Sequence, residues 1–412
     1  MRIGYLSSYP PLECGIATYT NYLRTAMSPR DADTFVIAPI GSEGPDVVPV
    51  YQNGSGAFAP DVYNVLMQRT PDIVHIQHEY GLFGPNRGME IIDLVFRLRL
   101  IRVPVVITLH TVYESLSEEE EFMLGHLLAE CAAVIVHEEF QRHTLERHLG
   151  PEVGAKVHVI DHGVREVAPI ADAKVQLDLE GKKVVMMLGY FRPTKGFHKI
   201  NDFLPQVCSA DEDVVFVLAG KTRNIEYGDY RHQLLDQLRS SPYADRIIML
   251  QGQFAQHTFD TTLSAADVVV LPYDVGAQSG VLAQCIAFGR PIVTSKLRAF
   301  QNVTARSGAG VSCDEGQYGE QIMRILDEPD VAERFTTNAQ RYVRYRAGWS
   351  IVAERHESLY QDVLESRSDG RRYVHFHGEA QPLTRSLAEA SPDIPADASE
   401  IFETAASLHE QV

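Results

Sequence analysis

Short, unbroken apolar runs recur along the chain, separated by longer segments whose apolar residues fall at helical spacing. The first run covers residues 2–7, and others follow at 34–40, 73–77, 105–109, 133–136 and 157–160. Apolar runs of this length, without polar alternation, predict strands buried on both faces. Between them, residues 16–27, 88–100 and 118–130 read as helices. Strands and helices in alternation predict a doubly wound parallel sheet. The pattern lapses over residues 166–182, which make neither a good strand nor a good helix and contain Pro169. An interdomain linker is expected there. It then restarts, with strands expected at 183–191, 214–220, 247–250, 267–273 and 309–313. The predicted architecture is α/β, with two Rossmann-like domains at residues 1–165 and 183–340. Helical spacing alone follows Gly316, at residues 320–327, 332–345 and 350–364.

The clearest unit spans residues 265–296. Val268 to Leu271 is a strand closed by Pro272, and a loop containing Gly276 follows. Ser279 is placed to cap a helix from Gly280 through Phe288, Gly289 stops it, and Pro291 opens the next strand. Loop and helix start thus sit at the C-terminal end of a parallel strand, where open α/β sheets bind ligands. A helix start presents unpaired N–H groups and a positive dipole end, which suit an anion. An ordinary βαβ unit without a ligand would carry the same pattern.

At 412 residues the chain is too long for one core and suits two. Its formal net charge of -18 argues against nucleic acid or an anionic membrane as partner for the whole chain. The five cysteines are dispersed without metal-ligand spacing, which fits reduced thiols in a cytoplasm. The chain enters a strand at once with no signal segment, and no apolar run is long enough to span a bilayer. A cytoplasmic enzyme is expected.

Candidate chemistry gathers at strand exits. After the first strand, Pro10 and Pro11 end the pairing and Gly15 precedes a helix. The G-x-G-x-x-G dinucleotide fingerprint is absent. Cys14 reads as a packing residue of that loop, with a reactive thiol as the alternative. Further exits carry His78 and Glu79, His110, and Asp161 with His162. Either each histidine merely caps a strand end, or at least one of them lines a cleft; three at strand exits favour a cleft role for at least one. Their spacing supports no metal. At the exit of residues 183–191, Arg192 and Lys195 bracket a loop and Gly196 is expected to open a helix. Two cations beside a helix start suit a di-anion; two solvated surface charges are the plainer alternative.

Taken in order, GYFRPTKGF (189–197), VLAGK (217–221), SAADVVVLPY (264–273) and GVLAQCIAFGRPIV (280–293) resemble retaining glycosyltransferases of family 4, which have the GT-B fold. YPPLECGIATYT (9–20), IVHIQHEYGLFG (73–84), VITLHTVY (106–113) and IDHGV (160–164) agree, so the resemblance covers roughly residues 1–365. It implies a nucleoside diphosphate sugar as co-substrate, no other cofactor, and a hydroxyl acceptor, carbohydrate or other. Arg192 and Lys195 are expected on the diphosphate, Gly15 and Ile16 approaching it from the other domain, and His110 beside the donor sugar. Gly189, Gly220, Phe254, Gln278, Ser279, Gly280, Val281 and Gln284 complete the expected donor contacts. His78, Glu79, Tyr80 and His162 are expected on the acceptor side, and His110, Arg192 and Lys195 as the catalytic set. The family's frequent E-x7-E pair falls here on Gly276 and Gln284. The first carboxylate is absent and the second is an uncharged amide. A branch of the family with QSG at this loop is similar.

The resemblance further implies metal-independent hexosyl transfer, mannose or glucose, by front-face attack with retention. It also implies a last helix, 341–365, that returns to the first domain. Rival readings are a sugar-nucleotide epimerase, a sugar phosphorylase, or a non-catalytic nucleotide-sugar binding protein; the missing glutamates motivate the last. Residues 366–412 lie outside the resemblance and are acidic, with either one helix at 398–411 or disorder expected.

Overall fold

The computed structural model describes residues 1–366 except 31, 53, 55, 85, 222–226 and 253. The helix expected at 398–411 lies outside the described residues. Seven parallel strands form the first sheet: β1 (Arg2–Leu6), β2 (Asp33–Pro39), β3 (Val47–Tyr51), β4 (Ile73–His78), β5 (Val105–Leu109), β6 (Ala133–Val136) and β7 (Val157–Val159). Their order is β3-β2-β1-β4-β5-β6-β7. Six parallel strands form the second: β8 (Lys183–Tyr190), β9 (Val214–Lys221), β10 (Ile247–Gln251), β11 (Val268–Leu271), β12 (Ile292–Thr294) and β13 (Gly310–Ser312), in the order β10-β9-β8-β11-β12-β13. Each sheet reverses its winding once, between β1 and β4 and between β8 and β11. Crevices open at those reversals because the flanking connections leave in opposite directions.

Strand residues alternate between two packed layers. Val74 and Ile76 of β4 enter one core with the helices Phe58–Arg69 and Glu90–Leu100. Ile3, Tyr5, Val106 and Ile135 enter the other, where the helix Gly15–Met27 meets the last described helix, Trp349–Glu365. That last helix returns to the first domain and buries Trp349, Val352, Leu359, Tyr360 and Val363 there. Each apolar side chain of this size contributes about 1.5–3 kcal/mol when fully buried, so the return helix is a structural part of the first domain. Its entry is fixed by backbone bonds from Val164 N to Ala347 O (2.7 Å) and from Trp349 N to Val164 O (3.2 Å).

Three local expectations change. Strand β3 escaped the pattern because Pro49 interrupts it; the strand lies at the sheet edge, where proline is tolerated. Gly196 does not open a helix: it adopts φ +66° between two 3-10 turns, Pro193–Lys195 and Phe197–Lys199, and the α-helix begins at Ile200. The helix expected over 332–345 runs from Pro329 to Tyr342 and loosens into a π-turn at Val343–Ala347. The segment 166–182 holds a four-residue helix, Ala173–Gln176, and buries Ala173 and Leu179 in the second domain's core. Among the described residues no helix is long and apolar enough to cross a membrane.

Candidate active site

The loops after β8 and β11 are sewn together at the second sheet's reversal. Asp274 N donates to Thr194 O at 3.1 Å. Gly196 makes the approach possible, because a Cβ there would lie 2.0 Å from the Pro272 carbonyl oxygen. The loop carries three cations with different fates. Lys199 is buried and paired with Asp274 (2.5 Å) and Glu315, so its charge is neutralised within the fold. Among the described residues, Arg192 and Lys195 have no ion-pair partner. Lys195 instead holds its Nζ 3.6 Å from the centre of the buried Tyr273 ring. Burial, reinforced by the neighbouring Arg192 charge, pushes its ammonium down to about 7. Arg192 Nε and Thr194 Oγ1 are buried without a hydrogen-bond partner. Uncommitted cations and unsatisfied donors in one loop suit an anionic ligand.

The first domain faces this loop with Glu79. Its carboxylate accepts from Thr111 Oγ1 at 2.6 Å and from Tyr80 N at 3.2 Å. Burial raises its pKa, and these bonds together with the Arg192 charge oppose the rise. Arg192 also acts on the Tyr113 hydroxyl, so the exits of β4, β5 and β8 share one electrostatic field. Glu13, beside the first helix, pairs with Lys221 at the end of β9 and bridges the two domains.

Two helix starts open on the same region. The helix Gly15–Met27 has no side-chain cap and no acidic residue in its first turn, and Gly15 is exposed with open space around it. The helix Gly280–Ala287 is capped as expected: Ser279 Oγ accepts from Leu282 N at 3.3 Å. Gly280 is likewise exposed, while Val281 is half-buried.

The remaining candidates are distributed unevenly. His110 sits at the β5 exit, with its Nε2 2.8 Å from Gln77 Oε1 and its ring edge-on to Tyr19. Burial and the surrounding histidines hold its pKa well below the ordinary value. His162 and Gln278 come together with Ser279 in a cavity between the domains, whose walls include His137, Glu138 and Arg306. His78, by contrast, is 1% exposed and packs against Tyr80 and Phe83 instead of opening on the cleft. Gly189 and Gly220 serve close strand packing, since a Cβ at Gly220 would lie 1.8 Å from Gly189 O. Phe254 is partly buried against the second core. Gln284 Oε1 lies 3.4 Å from Arg165, which forks onto Asp260 at 2.7 and 2.8 Å.

Several site residues escaped the sequence reading. Gln77 and Thr111 had a usable signal, as polar residues in or just beyond fully buried strands. Tyr273 had none beyond its place after Pro272. Glu138 and Arg306 had none either, because their bond joins the β6 exit to the distant helix Arg298–Ser307. Arg306, Arg346 and Arg355 also converge on buried Asp161, at 3.4, 3.1 and 3.0 Å, and tie the two domains to the return helix. Among the described residues no group of three or more His, Cys, Asp or Glu side chains is arranged to hold a metal.

Two Rossmann-like domains, with uncommitted cations at the second sheet's switch point, make the architecture of the GT-B class. A family model described as "Glycosyltransferase Family 4" matches residues 14–166, and one described as "Glycosyl transferases group 1" matches residues 170–342. The chain belongs to this glycosyltransferase family. It is 26% identical over 408 residues to a phosphatidyl-myo-inositol mannosyltransferase of Mycobacterium leprae, covering 89% of this chain and 98% of that one. Over 307 residues it is 23% identical to a glycogen synthase of Mycobacterium tuberculosis, covering 70% of this chain and 68% of that one. The fold is similar to sucrose-phosphate synthase of Thermosynechococcus elongatus, with TM-score 0.72 and 17% identity over 89% of this chain and 100% of that one. It is also similar to Anabaena HepE bound to UDP-glucose, with TM-score 0.68 and 16% identity over 89% and 100%.

Proposed function

We propose that this glycosyltransferase moves a hexose, mannose or glucose, from a nucleoside diphosphate sugar to an acceptor hydroxyl with retained anomeric configuration, acting in the cytoplasm. The observation that carries the reading is the pair Arg192 and Lys195, without an ion-pair partner among the described residues at the second sheet's switch point, while Lys199 in the same loop is paired with Asp274 and Glu315. Departure of the diphosphate places negative charge where these cations and the start of the helix Gly280–Ala287 stand, and stabilising that charge lowers the barrier. The amides that begin the helix Gly15–Met27 serve the same diphosphate from the other domain. His110 holds the donor sugar as a neutral ring. Glu79, facing Arg192, is an acceptor-side group able to receive a hydrogen bond from the incoming hydroxyl. Closure of the cleft excludes the water that would otherwise take the sugar.

The named relatives, a mannosyltransferase and a glycogen synthase, favour transfer over epimerisation or phosphorolysis. With positive side chains serving the leaving group, turnover needs no divalent metal. The test is a thermal-shift screen against UDP, GDP, ADP and their sugars, followed by transfer assays on an acceptor panel with and without EDTA. A ligand at a hundred times its Kd stabilises by about 2.7 kcal/mol, enough to identify the base. Donor binding without transfer to any acceptor would leave a binding protein instead. Loss of turnover in EDTA, restored by magnesium or manganese, would end the metal-free mechanism.

A further inference from the structure

Strand β4 is buried along its whole length, yet it carries polar side chains at two alternate positions, His75 and Gln77. Alternate residues of a strand share a face. Val74 and Ile76 take the opposite face, so His75 and Gln77 look toward the layer that holds the return helix. There His75 Nδ1 lies 2.6 Å from the Tyr360 hydroxyl. His75 Nε2 lies 2.8 Å from Thr108 Oγ1 and 3.3 Å from Gln77 Nε2. Gln77 Oε1 lies 2.8 Å from His110 Nε2. A polar chain therefore runs from the return helix, through two side chains of β4, to the histidine at the β5 exit.

The chemistry of the groups assigns the protons. A carboxamide oxygen only accepts and a carboxamide nitrogen only donates. With the Gln77 amide oriented as in the structure, His110 carries its proton on Nε2, and its Nδ1 is an acceptor. By the same rule His75 Nε2 accepts, and its proton sits on Nδ1 toward Tyr360, while the Thr108 hydroxyl adjusts to either role. The groups around His110 are neutral: Tyr19, and the histidines 75, 78, 137 and 162. Among the described residues no carboxylate acts on His110 itself, and Asp161 acts one ring away, on His137, which fits a hydrogen-bonding role for His110 and not an acid one.

We propose that Gln77 is a positioning residue that holds His110 as the Nε2–H tautomer, so that Nδ1 accepts a hydrogen bond from a hydroxyl of the donor sugar. His75, Thr108 and Tyr360 anchor the Gln77 amide. The proposal rests on the donor-sugar role of His110 given above. It explains why this face of a buried strand tolerates two polar side chains, each of which would be costly without partners.

The test uses the full-length protein labelled with 15N-histidine. Long-range 1H–15N spectra report the tautomer of each ring, and a His110→Asn variant assigns the His110 signals. The wild type should show His110 protonated on Nε2. In Gln77→Leu the ring should shift toward the other tautomer. There kcat/KM for the sugar nucleotide should fall roughly two- to tenfold, the range for one neutral hydrogen bond, while affinity for the nucleoside diphosphate alone stays at the parent value. Gln77→Glu keeps an acceptor for Nε2–H but adds a buried charge, so the acid limb of the pH–rate profile should move to higher pH. An Nδ1–H tautomer in the wild type overturns the proposal, as does a Gln77→Leu variant with parental tautomer and kinetics. Equal loss of nucleoside diphosphate affinity in that variant shows general damage to the cleft and overturns it too. If Gln77→Leu does not fold, the wild-type tautomer and the Gln77→Glu profile decide. A wild type that binds no sugar nucleotide fails the functional reading, while the tautomer measurement still decides the role of Gln77.

Discussion

Nucleoside diphosphate affinity should fall as pH rises above about 7, and replacing Lys195 by Met should remove that dependence. In the structure Lys195 is held near 7 by burial and by Arg192, so above that pH it is largely uncharged. A bound diphosphate favours the ammonium and should return its pKa toward the ordinary value of about 10.4. The sign follows directly. Below pH 7 the ammonium is present in free and bound protein, and affinity is maximal. Between about 7 and the bound-state value, binding takes up a proton, and each pH unit costs up to a factor of ten, about 1.4 kcal/mol. From pH 7.5 to 9 the loss should approach 30-fold, ~2 kcal/mol, if the normal pKa is fully restored. The last phosphate proton titrates near pH 6, outside this window. Arg192→Ala should weaken binding by roughly 1.5–3 kcal/mol, the worth of a charge-assisted bond. It should also move the pH break upward, since Arg192 helps to depress Lys195. Titration calorimetry at three pH values, in buffers of different ionisation enthalpy, measures both Kd and the protons taken up. A Kd that is constant from pH 7.5 to 9, or parallel slopes in wild type and Lys195→Met, would refute the assignment of Lys195 to the diphosphate.

Gly196→Ala should lower the melting temperature and weaken donor binding together, because the new Cβ meets the Pro272 carbonyl at a residue with φ +66°. Differential scanning fluorimetry with and without nucleotide checks this, and parental values for both would show that the loop adapts. Gln284→Ala should raise the donor KM with a smaller fall in kcat, as expected of a ribose contact, and Gln284→Glu should stay active. An unchanged donor KM in Gln284→Ala would confine that residue to its contact with Arg165. Acid should unfold the protein early. His78, His137 and His356 are held near 4 by burial, so the unfolded chain binds more protons than the native one between about pH 6.5 and 4. Stability should fall across that window by up to about 1.4 kcal/mol per pH unit for each histidine, and equal urea midpoints at pH 7 and 5 would contradict it.

The sequence by itself was enough for the two-sheet plan. Buried parallel strands are continuous apolar runs, and runs such as Val268–Leu271 are local facts that need no knowledge of their neighbours. The exits were legible for the same reason: Ser279 does cap its helix, and Arg192 and Lys195 do stand at the end of β8. Conformation inside a short loop was not legible. Gly196 precedes a helical pattern, but the close approach of Pro272 drives it into the left-handed region and delays the helix to Ile200. Edge strand β3 was hidden by Pro49, whose cost depends on a position in the sheet that composition does not reveal.

Tertiary structure alone decided which polar groups are committed and which remain available. Lys195 and Lys199 look alike in sequence, yet one stacks on Tyr273 and the other is neutralised by Asp274 and Glu315. His78 and His110 both stand at strand exits, but His78 turns into an aromatic cluster while His110 meets Gln77. The partner of His75 is Tyr360, 285 positions away, and Arg306 meets Asp161 across the domain boundary. Such pairings carry no local signature, because each partner is suited to many environments. Only the packing of the return helix, and the meeting of one domain with the other, selects the one in which it acts.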